Sequence, residues 1–170
     1  MNISVNLRPA KQEDLIKICQ IYNYYIKNSV ATFTETPEEP TRFERILTQN
    51  QQNNTPFSVA ITNDEVVGYA YLSPYMPERT AYRFTYSDAV YIDPNYLGQG
   101  IGQKLFTDLI SRAKKTDHIQ QIISLITAAD ETKPSIELHQ KYGFKVIGTM
   151  HKVGYKFDRL LDVSIMQLSL

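Results

Sequence analysis

The chain has 170 residues, 18 Lys+Arg against 18 Asp+Glu, one cysteine and no tryptophan. That length suits a single domain spanning 1–170 with a proper core, and zero net charge without a dense basic run argues against nucleic acid as a partner. One cysteine excludes an internal disulfide, and neither a membrane-length apolar run nor a basic-then-apolar leader is present, so a soluble cytoplasmic protein with no membrane partner is expected.

Val5 to Arg8 reads as a strand stopped at Pro9, followed by a helix whose apolar face is Leu15, Ile18, Cys19, Tyr22, Tyr25 and Ile26. Cys19 on that stripe reads as a buried structural thiol. Residues 29–41 contain two prolines and read as a loop. Thr41, with Glu44 three residues on, has the spacing of a capping box for a second helix burying Phe43, Ile46 and Leu47. Gln49–Thr55 is polar and reads as a surface loop. Phe57–Ile61 and Val66–Leu72 flank Asn63-Asp64 as a hairpin. Pro74 to Arg79 interrupts, and Ala81–Ile92 reads as one long strand with room for a bulge.

Residues 86–113 form the centre of the pattern. Ala89 to Ile92 is an apolar strand, Asp93-Pro94-Asn95 ends it, and Gly98, Gly100 and Gly102 lead into a helix carrying Leu105, Phe106, Leu109, Ile110 and Ala113. A glycine turn opening a helix presents unpaired N–H groups and the positive end of a dipole to an anion. No Lys-Ser/Thr follows the glycines, which excludes a P-loop, and a dinucleotide fold would place them nearer the N-terminus. Gln121–Ile126 is a buried-type strand. Thr132-Lys-Pro134 opens a short helix with Ile136, Leu138, His139 and Tyr142, ended by Gly143. Phe144–Val153 and Leu160–Leu168 are the last strands, with a loop holding Gly154, Lys156, Asp158 and Arg159 between them.

This order, β α α β β β α β α β β, resembles the GNAT acyltransferases over nearly the whole chain. It is most similar to their phosphinothricin/methionine sulfoximine N-acetyltransferase branch. The closer resemblance rests on Val30-Ala-Thr-Phe33 with Pro37, Arg79-Thr-Ala-Tyr-Arg-Phe-Thr85 leading into Val90-Tyr91, Pro134-Ser-Ile-Glu-Leu-His139 with Gly143-Phe144, and Gly154-Tyr-Lys156 with Leu161-Asp-Val163. The resemblance implies an α/β (α+β) GNAT fold, a mixed central sheet of about seven strands flanked by about four helices. It implies acetyl-CoA as acyl donor, no metal, a small amino-acid-like amine as acceptor, and a homodimer.

It also places the site. Leu97, Gly98, Gln99, Gly100, Ile101, Gly102 and Gln103 would cradle the CoA pyrophosphate. Val90, Tyr91 and Ile92 would offer backbone N–H groups near the thioester, and Thr132 and Ser135 would meet the pantetheine arm. Phe33, Arg79, Tyr82, Arg83 and Thr85 would form the acceptor side, with the arginines suited to a carboxylate or phosphinate. Tyr142 would protonate the departing thiolate, and His139 on the same helix face would order that region.

Four residues depart from the branch's pattern: Leu97 for an arginine or glutamine, Thr132 for an asparagine, Leu160 for a tryptophan, and Ser87 for the glutamate taken as base. A hydroxyl is too weakly basic for that role. The adjacent Asp88 becomes the candidate base if a bulge turns it inward. An acyl-CoA-binding module with little or no turnover is the alternative reading, and Lys156 and Asp162 are a candidate structural ion pair.

Overall fold

The computed structural model describes residues 4–170, and its centre is a seven-stranded sheet in the order β1-β2-β3-β4-β5-β7-β6. The strands are β1 (Asn6–Pro9), β2 (Phe57–Thr62), β3 (Glu65–Pro74), β4 (Thr85–Ile92), β5 (Gln121–Thr127), β6 (Lys145–Lys156) and β7 (Arg159–Ser169). The helices are α1 (Leu15–Asn28), α2 (Pro40–Asn53), α3 (Ile101–Ala113) and α4 (Lys133–Lys141). Every neighbouring pair is antiparallel except β4 with β5.

Strand alternation divides the core in two. On one face Tyr86 and Ile92 of β4 pack with Leu105, Phe106 and Leu109 of α3 and with Phe144. On the other, Tyr69 and Tyr71 of β3 pack with Leu15, Ile18 and Tyr22 of α1 and Phe43 of α2, and Ala89 and Tyr91 of β4 lie against them. No helix is long and apolar enough to cross a membrane among the described residues.

Several boundaries differ from the sequence-based expectation, each for a local reason. The second helix begins at Pro40, with Glu39 as its N-cap and no side-chain cap, so Thr41 lies inside the first turn. Proline is suited there because the first-turn N–H has no helical partner. The same helix runs on through Gln49–Asn53, expected as loop. Nothing in that stretch breaks a helix, and buried Asn50 anchors it: its amide donates to Thr55 Oγ1 at 2.9 Å, Pro56 O at 3.1 Å and Leu72 O at 2.7 Å.

The third corrected boundary is the strand expected from Ala81. Residues Thr80–Tyr82 form one 3-10 turn, and β4 starts at Thr85. The two-residue turn expected at Asn63-Asp64 is present, both residues having positive φ, the type I′ geometry that follows strand twist. The expected final loop is instead another such turn at Phe157-Asp158, at φ +52° and +58°, so Gly154 and Lys156 belong to β6.

Candidate active site

The parallel pair β4–β5 is short. It pairs Thr85, Tyr86 and Ser87 with Gln121, Ile122 and Ile123, and there the ladder ends. Beyond it β4 stays on β3 in unbroken register from Tyr86↔Pro74 to Ile92↔Gly68, while β5 follows β7 from Gln121↔Ser169 to Thr127↔Val163. The two strands therefore part, leaving an opening whose vertex is at Ser87–Asp88 and Ile123–Ser124.

Antiparallel alternation decides which backbone groups face this opening. Phe84 O takes the N–H groups of Gln120 and Gln121, and Ile92 O takes the Tyr25 hydroxyl at 2.6 Å, so even-numbered residues of β4 turn away from β3. Val90 and Ile92 thus direct N–H groups to the opening. Tyr91 does not, because its N–H belongs to the ladder with β3, which corrects the expectation for that residue.

At one edge of the opening stands the glycine turn. Asp93, buried, accepts from Lys17 Nζ at 2.8 Å and from Asn95 N at 3.1 Å, which fixes the bend out of β4. These donors outweigh its burial and hold its carboxyl below the usual range. Gly98 and Gly100 have φ +74° and +76°, and α3 begins immediately after Gly100. No heavy atom lies within 4 Å of where a Cβ would stand on either. The first N–H of α3 to close a helical bond on the turn is Lys104 N, to Gly100 O at 3.1 Å, leaving the donors of Ile101, Gly102 and Gln103 without intrahelical acceptors. Leu97 and Gln99 are exposed beside them, and Gln103 Oε1 accepts from Lys141 Nζ at 3.0 Å.

At the vertex, Asp88 faces α3 and α4, on the same side as Tyr86 and Ile92. No bulge is needed, and β4 has none against β3, which corrects that expectation: ordinary alternation already directs residue 88 to this layer. Its carboxylate is 5% exposed; Oδ2 lies 2.9 Å from His139 Nε2, itself buried, and Oδ1 accepts the Ser124 hydroxyl. His139 Nδ1 lies 2.7 Å from Ser135 O, an acceptor only, so Nδ1 carries a proton. A neutral ring would then turn a lone pair toward the carboxylate, so the contact is satisfied by a proton held between Nε2 and Oδ2. Burial opposes the imidazolium, yet the Asp88 hydrogen bond and charge, aided by Ser135 O, raise the His139 pKa above its ordinary value. Because Ser124 bonds Asp88 and not the imidazole, the three do not form a nucleophilic triad.

Ser87 lies on the opposite face of β4, the side of Ala89 and Tyr91. Tyr142 caps α4, edge-on to Phe106 at 5.0 Å, and its hydroxyl is engaged with Thr107 Oγ1 and Gln103 O. Thr132 is buried with its hydroxyl on Thr127 O and on Ala129 O at 2.8 Å, so it fastens the turn before α4. Ser135 is half-buried in the first turn of α4 and contributes its carbonyl to His139. Arg79, Tyr82 and Arg83 are exposed. Tyr82 stands edge-on to Tyr75 at 5.4 Å, Arg83 covers the Phe84 ring at 4.9 Å, and among the described residues neither arginine has an ion-pair partner. Thr85 is at the closed end of the β4–β5 pair. Phe33 lies in the segment after α1 with its ring against Gly154.

Three features escaped the sequence reading. Lys156 does not pair with Asp162, which accepts from His151 Nδ1 at 2.9 Å and Lys152 N at 2.7 Å; the Lys156 ammonium instead reaches backbone carbonyls of the segment after α1. The Asp88–His139 contact joins residues 51 apart, which no local spacing reveals. Between α1, α2 and the sheet, Tyr22, Tyr69, Tyr71 and Tyr91 converge. Arg42 lies over the Tyr22 ring at 5.3 Å, and the buried Tyr69 hydroxyl and Arg42 Nε lack partners among the described residues.

Residues 19–144 match the family model described as Acetyltransferase (GNAT) family. Phosphinothricin N-acetyltransferase of Alcaligenes faecalis is 35% identical over 95% of this chain and 80% of its own length. The L-methionine sulfoximine/L-methionine sulfone acetyltransferase of Pseudomonas aeruginosa is 34% identical over 99% of this chain and 96% of its own. Among solved structures, a GNAT superfamily phosphinothricin acetyltransferase from Sinorhizobium meliloti in complex with acetyl-CoA superposes with a TM-score of 0.88. It is 35% identical and covers 100% of this chain and 89% of that one.

Proposed function

The chain belongs to the acetyltransferase (GNAT) family, and from that premise we propose that it transfers acetyl from acetyl-CoA to the primary amine of a small amino-acid-like substrate such as phosphinothricin or methionine sulfoximine or sulfone. The observation that carries the proposal is the opening between β4 and β5, bordered by the unpaired N–H groups of α3 and closed at its vertex by the Asp88–His139 pair. The branch assignment follows the relatives that share a third of its residues.

The residues present fit an acyl-CoA. Positive-φ Gly98 and Gly100, with open space where side chains would stand, let the backbone of residues 98–103 close on a pyrophosphate. Ser135 and the outer edge of α4 flank the pantetheine path. The bound donor supplies a thioester acyl group. Val90 and Ile92 direct N–H groups at the position where its carbonyl oxygen gains charge. Phe33, Tyr82, Arg79, Arg83 and Thr85 are assigned to the acceptor side together with Ser87.

Amine attack forms the C–N bond and expels the thiolate, so one proton must leave nitrogen and one must reach sulfur. The proton from nitrogen is assigned to the Asp88–His139 pair, directly or through water, in place of the missing glutamate. The pair acts as a base only after losing its shared proton, so acceptance becomes easier as pH rises through the elevated His139 pKa. Tyr142 is assigned as the donor to sulfur once its hydroxyl leaves Gln103 O. The reading extends to a cytoplasmic homodimer, with the long edge strand β6 and its exposed Val146, Ile147, Val153 and Tyr155 as the surface for the second copy.

The test incubates pure protein with acetyl-CoA and a panel of amino acids, phosphinothricin, methionine sulfoximine and methionine sulfone, reading thiol release and product mass. Acetylation of one or more α-amines is expected. Tight acetyl-CoA binding with no acetylated amine would leave only a binding module, and acetylation confined to peptides or polyamines would refute the acceptor class.

A further inference from the structure

The segment 29–34 has no helix or strand, yet its backbone is held at four consecutive carbonyls. Ser29 O and Thr32 O each accept from Lys156 Nζ at 2.7 Å, Val30 O accepts from Thr127 Oγ1 at 2.7 Å, and Ala31 O lies 3.5 Å from the Tyr91 hydroxyl. Tyr22 OH joins Thr32 Oγ1 at 2.9 Å and Thr34 Oγ1 at 3.0 Å. The donors come from α1, β4, β5 and β6, so four elements distant in sequence hold the segment.

Lys156 is the unusual member. It is 3% exposed, and among the described residues no carboxylate lies within ion-pair distance. A buried ammonium needs its protons met by acceptors, because water no longer does so. Here three converging carbonyls meet them: Ser29 O and Thr32 O closely, and Tyr25 O of α1 at 3.5 Å, so the two short bonds depend on the folded path of residues 29–32. Two residues earlier on the same face of β6, a Cβ on Gly154 would fall 2.2 Å from Phe33 Cε2 and 2.3 Å from Cζ. The absence of a side chain is what lets the Phe33 ring lie on the strand. Val153 and Tyr155 are exposed on the other side, and Phe157, in the turn, is half-exposed with its ring 5.2 Å from the Lys156 ammonium.

We propose that Lys156 is a positioning residue for the acyl acceptor: with Gly154 and Thr127 it locks residues 29–34, so that Phe33 stands as a fixed apolar wall on the acceptor side of the opening. With the carbonyls of residues 29, 30 and 32 already bound, the segment offers the acceptor a ring and little free backbone acceptor. The β6–β7 hairpin is thereby joined to acceptor recognition and not to donor binding. This rests on the acceptor reading given under Proposed function.

The test compares Lys156→Met, Lys156→Arg, Gly154→Ala and Thr127→Val. Steady-state kinetics vary acceptor and acetyl-CoA separately, calorimetry measures acetyl-CoA affinity, and hydrogen exchange follows residues 29–35. Lys156→Met and Gly154→Ala are expected to raise the acceptor KM about tenfold to a hundredfold, the scale of a misplaced positioning group, with acetyl-CoA affinity unchanged within about twofold. Lys156→Arg should recover part of the loss, and exchange should quicken in residues 29–35 alone. Unchanged acceptor KM, or equal weakening of both substrates, overturns the proposal. If Lys156→Met fails to fold, Thr127→Val, which strands no charge, gives the same readouts. If the unaltered protein acetylates no amine, the acceptor reading falls, and hydrogen exchange still judges the lock: protection at 29–35 that no variant lowers would refute it.

Discussion

Replacing Asp88 by Asn tests the vertex of the site through stability as well as activity. In the native pair both side chains are 5% exposed and the contact is 2.9 Å. The sign follows from His139. Its pKa is raised in the folded state, so the pair contributes stability that is fully present below the unfolded value of about 6.5 and is lost as pH rises through the folded value. In Asp88→Asn, burial works against the imidazolium with only Ser135 O left to favour it, so the His139 pKa falls from its raised value. Each unit between the two proteins is worth about 1.4 kcal/mol of stability difference at low pH. Removing one partner of a buried pair sets an upper bound of about 3–5 kcal/mol. At alkaline pH the ring is neutral with its proton on Nδ1, and the Asn amide can donate to Nε2, so the cost should shrink to about 1 kcal/mol or less. Urea unfolding at about pH 5.5 and about pH 8.5, with NMR titration of the His139 ring, measures both. Equal losses at the two pH values, or a His139 pKa that does not fall, would refute the proton-sharing geometry. Acetylation that survived undiminished across pH would remove the pair as base.

The pH profile of kcat/KM for the unaltered protein is expected to rise with an apparent pKa above about 6.5, measured with an acceptor of known amine pKa so that the two titrations separate. Tyr69→Phe deletes a fully buried hydroxyl without a partner among the described residues and should be neutral or stabilising by about 1 kcal/mol in urea unfolding; a loss beyond about 1 kcal/mol would show that the hydroxyl is bonded. Asn50→Leu should destabilise by about 2–4 kcal/mol, because three acceptors at the end of α2 lose one buried amide, and the same unfolding measurement would expose a smaller role. Gly100→Ala meets no neighbouring atom, so its cost is conformational, about 1–2 kcal/mol at φ +76°, with weaker acetyl-CoA binding by calorimetry; unchanged affinity would remove this turn from the donor site.

Much of the fold was legible because its signals are local. Three-to-four spacing marked α1 and α3, paired turn residues marked the β2–β3 hairpin, and proline and glycine placed the ends of α4. The glycine turn was recognisable because positive φ at Gly98 and Gly100 is a demand on single residues. The misread stretches are those where distant contacts set the outcome. Gln49–Asn53 is polar enough to resemble a loop, and only the bonds from Asn50 to residues across the sheet explain why the helix continues. The hairpin end at 154–158 resembled a loop because its pattern is broken by Gly154 and by Lys156, whose two shortest bonds go to the segment after α1, 124 and 127 positions away.

The sequence alone determined the order of elements, the glycine turn before α3 and the absence of a glutamate at position 87, since each depends on residue type and near neighbours. Which face Asp88 occupies, which proton it shares with His139, and how Lys156 grips residues 29–32 were decided by the tertiary structure. Those arrangements depend on strand register and on burial, which fix direction and remove water. Neither quantity exists until strands far apart in the chain are paired.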